Sequence, residues 1–290
     1  MANGSEMPEA GAMAERTTAL ARAIRADALR MVHRANASHI GSSLSMSDLL
    51  AVLYGGILRV DPARPDWAER DRFILSKGHG AASAYAVLAE TGFFPVEWLE
   101  TYCQDGSKLA GHLTRGVPGV ELSSGSLGHG LPVGCGLALA ATADGAAYRV
   151  FVLLSDGELD EGSNWEAILF APQHRLDNLV AIVDYNKIQS FGRVEEVLNL
   201  EPLADKWRAF GWEVREIDGH DHARIAEALS GAPYEAGKPT AIIAHTVKGK
   251  GVSFMEDLLA WHYKSPNDEQ LTQALAEVAA ANSAGREETA

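Results

Sequence analysis

The feature that most constrains the fold is a strand–loop–helix–strand pattern over residues 150–192. An apolar run over residues 150–154 predicts a buried strand, and a helical segment follows over residues 164–174. A second apolar run, over residues 179–183, predicts another buried strand. Two such strands joined by a helix form a parallel βαβ unit. The sequence therefore predicts an α/β fold built on a parallel sheet.

Polar residues follow both predicted strands. Asp156 comes directly after the first strand region, and Asn186 comes just after the second. Because ligands bind at the carboxyl ends of strands in open α/β sheets, we expect the two side chains to lie close together there. A carboxylate and an amide oxygen, with coordination positions to spare, suit Mg²⁺ that carries a phosphate ligand. The alternative is that both residues only form turns, where Asp and Asn are common.

Three further segments carry glycine and histidine. The segment SKGHG (residues 76–80) joins a short predicted strand to a helix, and so offers N–H groups and an imidazole to a phosphate. A plain strand-to-helix turn is the alternative for this segment. The segment SSGSLGHG (residues 123–130) precedes a helix of small residues, and its glycines would let a flat ring approach the backbone. His39 lies in a polar loop predicted over residues 38–45, which is a common location for functional residues.

Taken together, these segments resemble the transketolase family over about residues 20–265. The thiamine diphosphate motif of that family, Gly-Asp-Gly followed later by Asn, corresponds here to Asp156, Gly157 and Asn186. The resemblance implies a thiamin-diphosphate-binding fold of the PP type, a parallel sheet with helices on both faces. It also implies thiamine diphosphate and Mg²⁺ as cofactors, with Ca²⁺ or Mn²⁺ as substitutes. The metal ligands would be Asp156, Asn186 and the backbone carbonyl of Ile188.

The same resemblance implies the other site residues. Those expected to contact the cofactor, besides the metal ligands, are His79, Gly125, Leu127, Gly128, Gly157, Glu158, Lys248 and His262. Those expected to act in catalysis are His39, His112 and His262 around the reacting carbons, His79 at the diphosphate, and Glu161 at a subunit interface. From local sequence alone, Glu161 also fits an ordinary first-turn residue of a helix. The charged run that contains Lys248 likewise also fits a solvated surface.

Several positions depart from the family pattern. Ser155 stands where the family has glycine, and it would be strained if the backbone there required a positive φ. His129 replaces a glutamine and can carry a charge that glutamine cannot. Four further positions differ. Ser38 replaces a glycine of the family, and Ile40, Leu113 and Ser126 each replace a proline.

Composition excludes some classes of partner. The net charge of −14 argues against binding to nucleic acid or to an anionic membrane surface. No segment has the pattern of a signal peptide or of a bilayer-spanning helix, so the sequence predicts a cytoplasmic protein. The two cysteines, Cys103 and Cys135, form no CxxC pair, and we expect them to be small apolar residues in the core.

The sequence predicts three regions: a flexible tail over residues 1–13, a thiamine-diphosphate-binding domain over residues 14–266, and a C-terminal helix and tail over residues 267–290. Single-chain transketolases carry further domains, including a pyrimidine-binding domain whose glutamate activates the cofactor. No sequence after Ala290 supplies these parts. The resemblance therefore implies a separate C-terminal subunit that carries the pyrimidine-binding domain, in a heterotetramer of two unlike pairs.

The leading functional prediction is the amino-terminal subunit of a two-component transketolase. Such an enzyme moves a two-carbon ketol unit from a ketose, or a ketose phosphate, to an aldose acceptor, so its substrates are small sugars. One alternative is a subunit of another split thiamine diphosphate enzyme, either a 2-oxoacid dehydrogenase E1 α-subunit or a sugar-phosphate synthase. The many histidines argue against the dehydrogenase. The other alternative is a non-catalytic scaffold that has lost the cofactor, which Ser155 keeps open.

Overall fold

The structure, a computed structural model, describes the backbone of residues 6–280 and the side chains of residues 11–280. Within this part of the chain the strands form one parallel sheet in the order β1-β2-β3-β5-β4. The strands are Arg72–Leu75 (β1), Val150–Ser155 (β2), Leu179–Tyr185 (β3), Glu213–Asp218 (β4) and Thr240–His245 (β5). The predicted parallel α/β fold is thereby confirmed.

Helices cover both faces of the sheet. They are Glu6–Ala35 (α1), Ile40–Ser45 (α2), Ser47–Val52 (α3), Ala81–Glu90 (α4), Gly130–Asp144 (α5), Gly162–Gln173 (α6), Val194–Val197 (α7), Leu203–Ala209 (α8), His222–Ser230 (α9) and Asp268–Ala280 (α10). Successive residues of β2 alternate between two cores. Phe151 belongs to the core that includes residues of α1, α3, α4 and α9, and Val152 belongs to the core that includes residues of α5, α6 and α8. This alternation follows from the two-residue period of a strand.

No helix in the described part of the chain is both long and apolar enough to cross a membrane. Of the two cysteines, Cys135 is buried in the core as expected, whereas Cys103 is exposed. The prediction of a core residue is therefore wrong for Cys103, and both thiols are free.

Two predicted segments differ from the structure. Helix α1 begins at Glu6, so the tail prediction is wrong over residues 6–13. Pro8 is compatible with the helix because it lies in the first turn, where backbone N–H groups have no acceptor within the helix. Residues 1–5, like residues 281–290, lie outside the described residues. The polar loop predicted over residues 38–45 contains the short helix α2, which is buried throughout. It forms because Ile40 and Leu44, one turn apart, both enter the core.

Helix α5 approaches the sheet closely at Gly134. A Cβ atom at this position would lie 2.5 Å from Cγ2 of Val152, a fully buried side chain with few rotamers. Gly136 in the same helix faces away from the sheet and has nothing within 4 Å of an added Cβ atom. The two glycines thus differ in packing alone.

We expect Gly134→Ala to lower the free energy of unfolding by about 1–3 kcal/mol through overpacking. The matched variant Gly136→Ala should raise it by up to about 1 kcal/mol, because alanine is the better helix former. Urea unfolding of the two variants checks this. Equal effects would contradict the close packing of α5 on β2.

Candidate active site

A cavity of about 210 Å³ lies at the carboxyl ends of β2 and β3. Most of the residues predicted for the site line it, namely His39, His79, His112, Gly125, Leu127, Asp156, Gly157, Asn186, Ile188, Lys248 and His262. Three predicted residues, Gly128, Glu158 and Glu161, do not line it. The fold therefore brings together segments that are far apart in sequence, as expected for the carboxyl edge of a parallel sheet.

Asp156 reaches from the end of β2 to the loop that follows β3. Its Oδ2 accepts a hydrogen bond of 2.5 Å from the backbone N–H of Lys187, and its Oδ1 accepts one of 2.7 Å from Gly157. The amide oxygen of Asn186 accepts a 3.1 Å bond from the N–H of Ile188. Both side chains are buried, and both line the cavity. The two oxygen donors therefore lie at the same edge of the sheet, as the sequence predicts.

The ammonium group of Lys248 lies among these oxygen donors. Lys248 is only 1% exposed, so the solvated-surface alternative is wrong for this residue. Its Nζ donates a 2.8 Å hydrogen bond to the carbonyl of Ile188, so a cation already faces the carbonyl that the resemblance assigns to the metal. One carboxylate, one amide oxygen and one carbonyl form a donor set that fits Mg²⁺ with phosphate ligands.

Burial sets the protonation of this charged edge. Burial, followed by the nearby carboxylate of Asp184, raises the pKa of Asp156 to about 6. Burial lowers the pKa of Lys248 to about 8, although Asp156 opposes that shift. Near pH 7 the site therefore holds a carboxylate and an ammonium that are both close to titration.

Four histidines form one cluster across the cavity. The ring centroid of His39 lies 5.2 Å from that of His79, 5.7 Å from that of His112 and 5.1 Å from that of His262. Burial, with nearby imidazoles and ammonium groups, lowers the pKa of His39 to about 4 and that of His262 to about 3. Burial also holds the pKa of His79 well below its usual value. These three rings are therefore neutral at pH 7.

The tautomer of His262 follows from its neighbour. Nζ of Lys248 lies 3.0 Å from Nδ1 of His262. An ammonium group only donates, so Nδ1 is the acceptor and the proton of the neutral ring is on Nε2. The ring can therefore donate a hydrogen bond through Nε2.

Glu158 lies behind the cavity, and the cofactor contact that the resemblance implies for it stays a prediction. It is fully buried outside the cavity lining, and Oε1 accepts hydrogen bonds from the hydroxyl of Ser76 and, at 3.0 Å, from the N–H of Gly128. Its Oε2 accepts a 3.2 Å bond from the N–H of Ser155. The carboxylate thus joins the loop that contains Gly128 to the ends of β1 and β2 through hydrogen bonds outside the cavity lining.

Gly128 and Glu161 lie next to each other outside the cavity. Gly128 has a φ of 82°, and a Cβ atom there would lie 2.6 Å from Cβ of Glu161, so only glycine fits. The loop of Gly128 therefore packs against the start of α6, and the cofactor contact implied for Gly128 stays a prediction. Glu161 is exposed and its side chain does not cap α6. Its assignment to a subunit interface stays a prediction.

Ser155 fits its position without strain. It is the last residue of β2 and is absent from the positive-φ residues of the described chain. Its hydroxyl oxygen accepts a 3.3 Å hydrogen bond from the N–H of Glu158. The strain that would have favoured a scaffold without cofactor is therefore absent at this residue.

Sequence reasoning missed a buried ion pair beside the cavity. The ammonium of Lys77 contacts the carboxylate of Asp184, and both side chains are completely buried. Burial alone would raise the pKa of Asp184, but Lys77 and the hydroxyls of Ser45 and Thr246 hold it below its usual value. An acidic residue within an apolar strand could have indicated such a pair, because buried charges need partners. The lining residues Ser42, Gln189 and Ser190 were also missed.

The fold and the site together define a class of protein. They are those of an α/β protein with a polar ligand cavity at the carboxyl edge of its parallel sheet. The sequence model described as "Transketolase, thiamine diphosphate binding domain" matches residues 16–278. The chain belongs to the transketolase family, and the predicted resemblance is confirmed.

Relatives and solved structures agree with this assignment. One component of the apulose-4-phosphate transketolase of Phocaeicola vulgatus is 46% identical over 250 residues, which are 86% of this chain and 89% of that one. A 6-deoxy-6-sulfo-D-fructose transketolase subunit of Clostridium sp. is 44% identical over 259 residues, 89% of this chain and 94% of that one. The transketolase structure from Leishmania mexicana superposes with a TM-score of 0.86 at 32% identity, covering 91% of this chain and 41% of that one. The chain thus spans about two fifths of that solved transketolase.

Proposed function

We propose that this chain is the amino-terminal, thiamine-diphosphate-binding subunit of a two-component cytoplasmic transketolase. It moves a two-carbon ketol unit from a ketose phosphate to an aldose acceptor. The observation that carries this proposal is the meeting of Asp156, Asn186, Lys248 and four histidines in one cavity. The relatives that match this chain over most of both lengths are named as transketolase subunits, which supports the same activity.

Asp156, Asn186 and the carbonyl of Ile188 would hold Mg²⁺, with Ca²⁺ or Mn²⁺ able to replace it, since all three are hard oxygen donors. Lys248 and His79 supply positive charge and hydrogen bonds for the diphosphate within an acidic chain. When bound, thiamine diphosphate supplies the nucleophilic carbon that a ketol transfer requires. The fit rests on the donor set, because Asp156, Asn186 and Ile188 all line the same cavity.

The histidine cluster provides proton transfer around the substrate. His39 and His262 are neutral at pH 7, so each ring has one nitrogen that accepts a proton and one that donates. Nε2 of His262 is a donor, because Nδ1 is taken by Lys248. The free acceptor nitrogen of His39 can take a proton from a substrate hydroxyl, whereas Nε2 of His262 can donate a hydrogen bond to a substrate oxygen.

Exposed apolar side chains at the rim of the cavity favour contact with a partner subunit. Phe191 is 83% exposed and follows the lining residue Ser190, and Tyr263 is 55% exposed and follows the lining residue His262. The Tyr263 hydroxyl donates a 3.1 Å hydrogen bond to the carbonyl of Ser190, so the two loops lie side by side. Exposed apolar side chains grouped at a ligand site are typical of an interaction surface.

A second apolar area lies on α6. Leu169 is 62% exposed and Phe170 is 38% exposed, on the helix whose first turn follows the exposed Glu161. Two separate apolar areas suit a chain that contacts more than one other chain. We therefore propose a heterotetramer in which a C-terminal subunit with the pyrimidine-binding domain completes each cavity, and Glu161 lies at an interface.

The substitution Asp156→Asn tests the metal site. It should abolish the rise in melting temperature that thiamine diphosphate with Mg²⁺ gives the assembled pair, because the metal loses its charged ligand. The ligand-free melting temperature should fall only modestly, because asparagine removes a buried charge but can accept only one of the two backbone hydrogen bonds that the carboxylate accepts. Differential scanning fluorimetry measures both, with the exposed Asp144→Asn as the charge-matched control. A cofactor-induced shift that survives in Asp156→Asn would contradict the site.

Cofactor affinity should be highest between about pH 6 and pH 8. Below about pH 6 a proton competes with the metal for Asp156, and above about pH 8 Lys248 loses the charge that attracts the diphosphate. Calorimetric titration of the pair with thiamine diphosphate and Mg²⁺ across this range checks the profile. Lys248→Met should remove the loss on the alkaline side and move the acid-side loss to higher pH, because Lys248 holds the pKa of Asp156 down. An affinity that does not change with pH would contradict these assignments.

The chain alone should show no ketol transfer, because the partner completes the cavity. Adding a subunit that resembles the rest of a transketolase should restore the transfer, measured by mass spectrometry of ketose and aldose products. The pair containing Asp156→Asn is the inactive control. Turnover by the purified single chain would contradict the need for a partner. Turnover of 2-oxoacids in place of sugars would instead favour a 2-oxoacid dehydrogenase subunit.

A further inference from the structure

A buried charge cluster lies outside the residues that line the cavity. Asp48 at the start of α3 is 5% exposed and accepts two hydrogen bonds from Arg25 of α1, at 2.9 and 2.5 Å. It also contacts two imidazoles near the start of α9, Nδ1 of His220 at 2.7 Å and Nε2 of His222 at 3.1 Å. The Asp48 carboxylate and the Arg25 guanidinium are buried and the two imidazoles are partly buried, so each polar group needs a partner and the cluster calls for an explanation.

The hydrogen bonds of His220 have directions that its two partners determine. Burial alone would raise the pKa of Asp48, but the Arg25 guanidinium and the two imidazoles hold it well below its usual value. Nε2 of His220 accepts a 2.8 Å bond from the backbone N–H of Val247. In the neutral ring the proton must then be on Nδ1, which donates to Asp48. His220 therefore bridges Asp48 to the loop after β5.

The cluster forms hydrogen bonds with the loop after β5 on both sides of Lys248. His220 holds the N–H of Val247, and Nε of Arg25 donates a 3.1 Å bond to the carbonyl of Lys250. Asp48, in turn, holds both His220 and Arg25. The backbone carries Lys248 between these two anchors, and its ammonium lies in the cavity.

We infer that His220 and Arg25, held by Asp48, are positioning residues that fix the Lys248 ammonium for the cofactor diphosphate. The inference rests on the proposed function, because it takes the diphosphate contact of Lys248 from there. It assigns to His220 a role in cofactor affinity although its ring does not line the cavity. His222 shares the contact with Asp48 but not this role, since its other hydrogen bond joins it to Thr17 of α1.

The pair His220→Ala and His222→Ala tests the inference. Each removes one imidazole from Asp48, but only His220→Ala releases Val247. We expect His220→Ala to weaken the binding of thiamine diphosphate with Mg²⁺ to the assembled pair by on the order of tenfold, as for other residues that orient a ligand-binding group. His222→Ala should leave that affinity within about twofold of the original. Calorimetry gives the affinities, and melting temperatures report any shared loss of stability.

Two further measurements separate positioning from general damage. His220→Gln keeps an acceptor for the Val247 N–H and should recover part of the affinity. In the Lys248→Met background, His220→Ala should cause little additional loss, because the two residues act through one contact. Equal affinity losses in His220→Ala and His222→Ala, or full additivity with Lys248→Met, would overturn the inference.

Hydrogen exchange on the chain alone gives a readout that needs no cofactor. Exchange in a peptide covering residues 246–251 should be faster in His220→Ala and unchanged in His222→Ala. Unchanged exchange in both variants would overturn the inference while leaving the proposed function intact. If the unaltered pair failed to bind thiamine diphosphate, the proposed function would fail, and the exchange experiment would still show whether His220 holds the loop.

Discussion

The site depends on the parallel register of β2 with β3. Ser155 at the end of β2 pairs with Asp184 on β3, so the residues that follow each strand leave the sheet at the same level. This pairing places the carboxylate of Asp156 within hydrogen-bonding distance of the residue after Asn186. A shift of one residue in this register would reverse the faces of the strand and separate the two oxygens. The two residues proposed as metal ligands are thus positioned by the sheet itself.

Positive charge is concentrated locally at this edge of an acidic chain. With a net charge of −14 it must hold an anionic cofactor, so positive charge has to be local. The buried cations Lys77 and Lys248 supply it beside the cavity. Lys77 is paired with Asp184, whereas Lys248, within the described residues, donates to a carbonyl and an imidazole. Of these two cations Lys248 is therefore the one available to a ligand, and the backbone on both sides of it is anchored in the protein.

Sequence alone predicted the parts of this protein that follow from regular patterns. The apolar runs gave the strands, and the family motifs gave most of the cavity residues, because both depend on local spacing. The pairing of Lys77 with Asp184 could not be predicted, since two residues so far apart in sequence meet only through the order of the strands. The hydrogen bonds of Glu158 could not be predicted either, because the direction of its side chain depends on a turn whose geometry neighbouring residues do not specify. Helix α2 was missed because its serines resemble a loop until tertiary packing buries them.

The central claim is that the ends of β2 and β3 together hold a divalent cation that binds the cofactor diphosphate. A crystal structure of the assembled pair with thiamine diphosphate and Mn²⁺ tests it most directly, through the anomalous scattering of the metal. The account predicts one strong manganese peak between the Asp156 carboxylate and the Asn186 amide oxygen, at about 2.0–2.4 Å from each. A peak elsewhere, or a diphosphate bound without contact to these two residues, would contradict it.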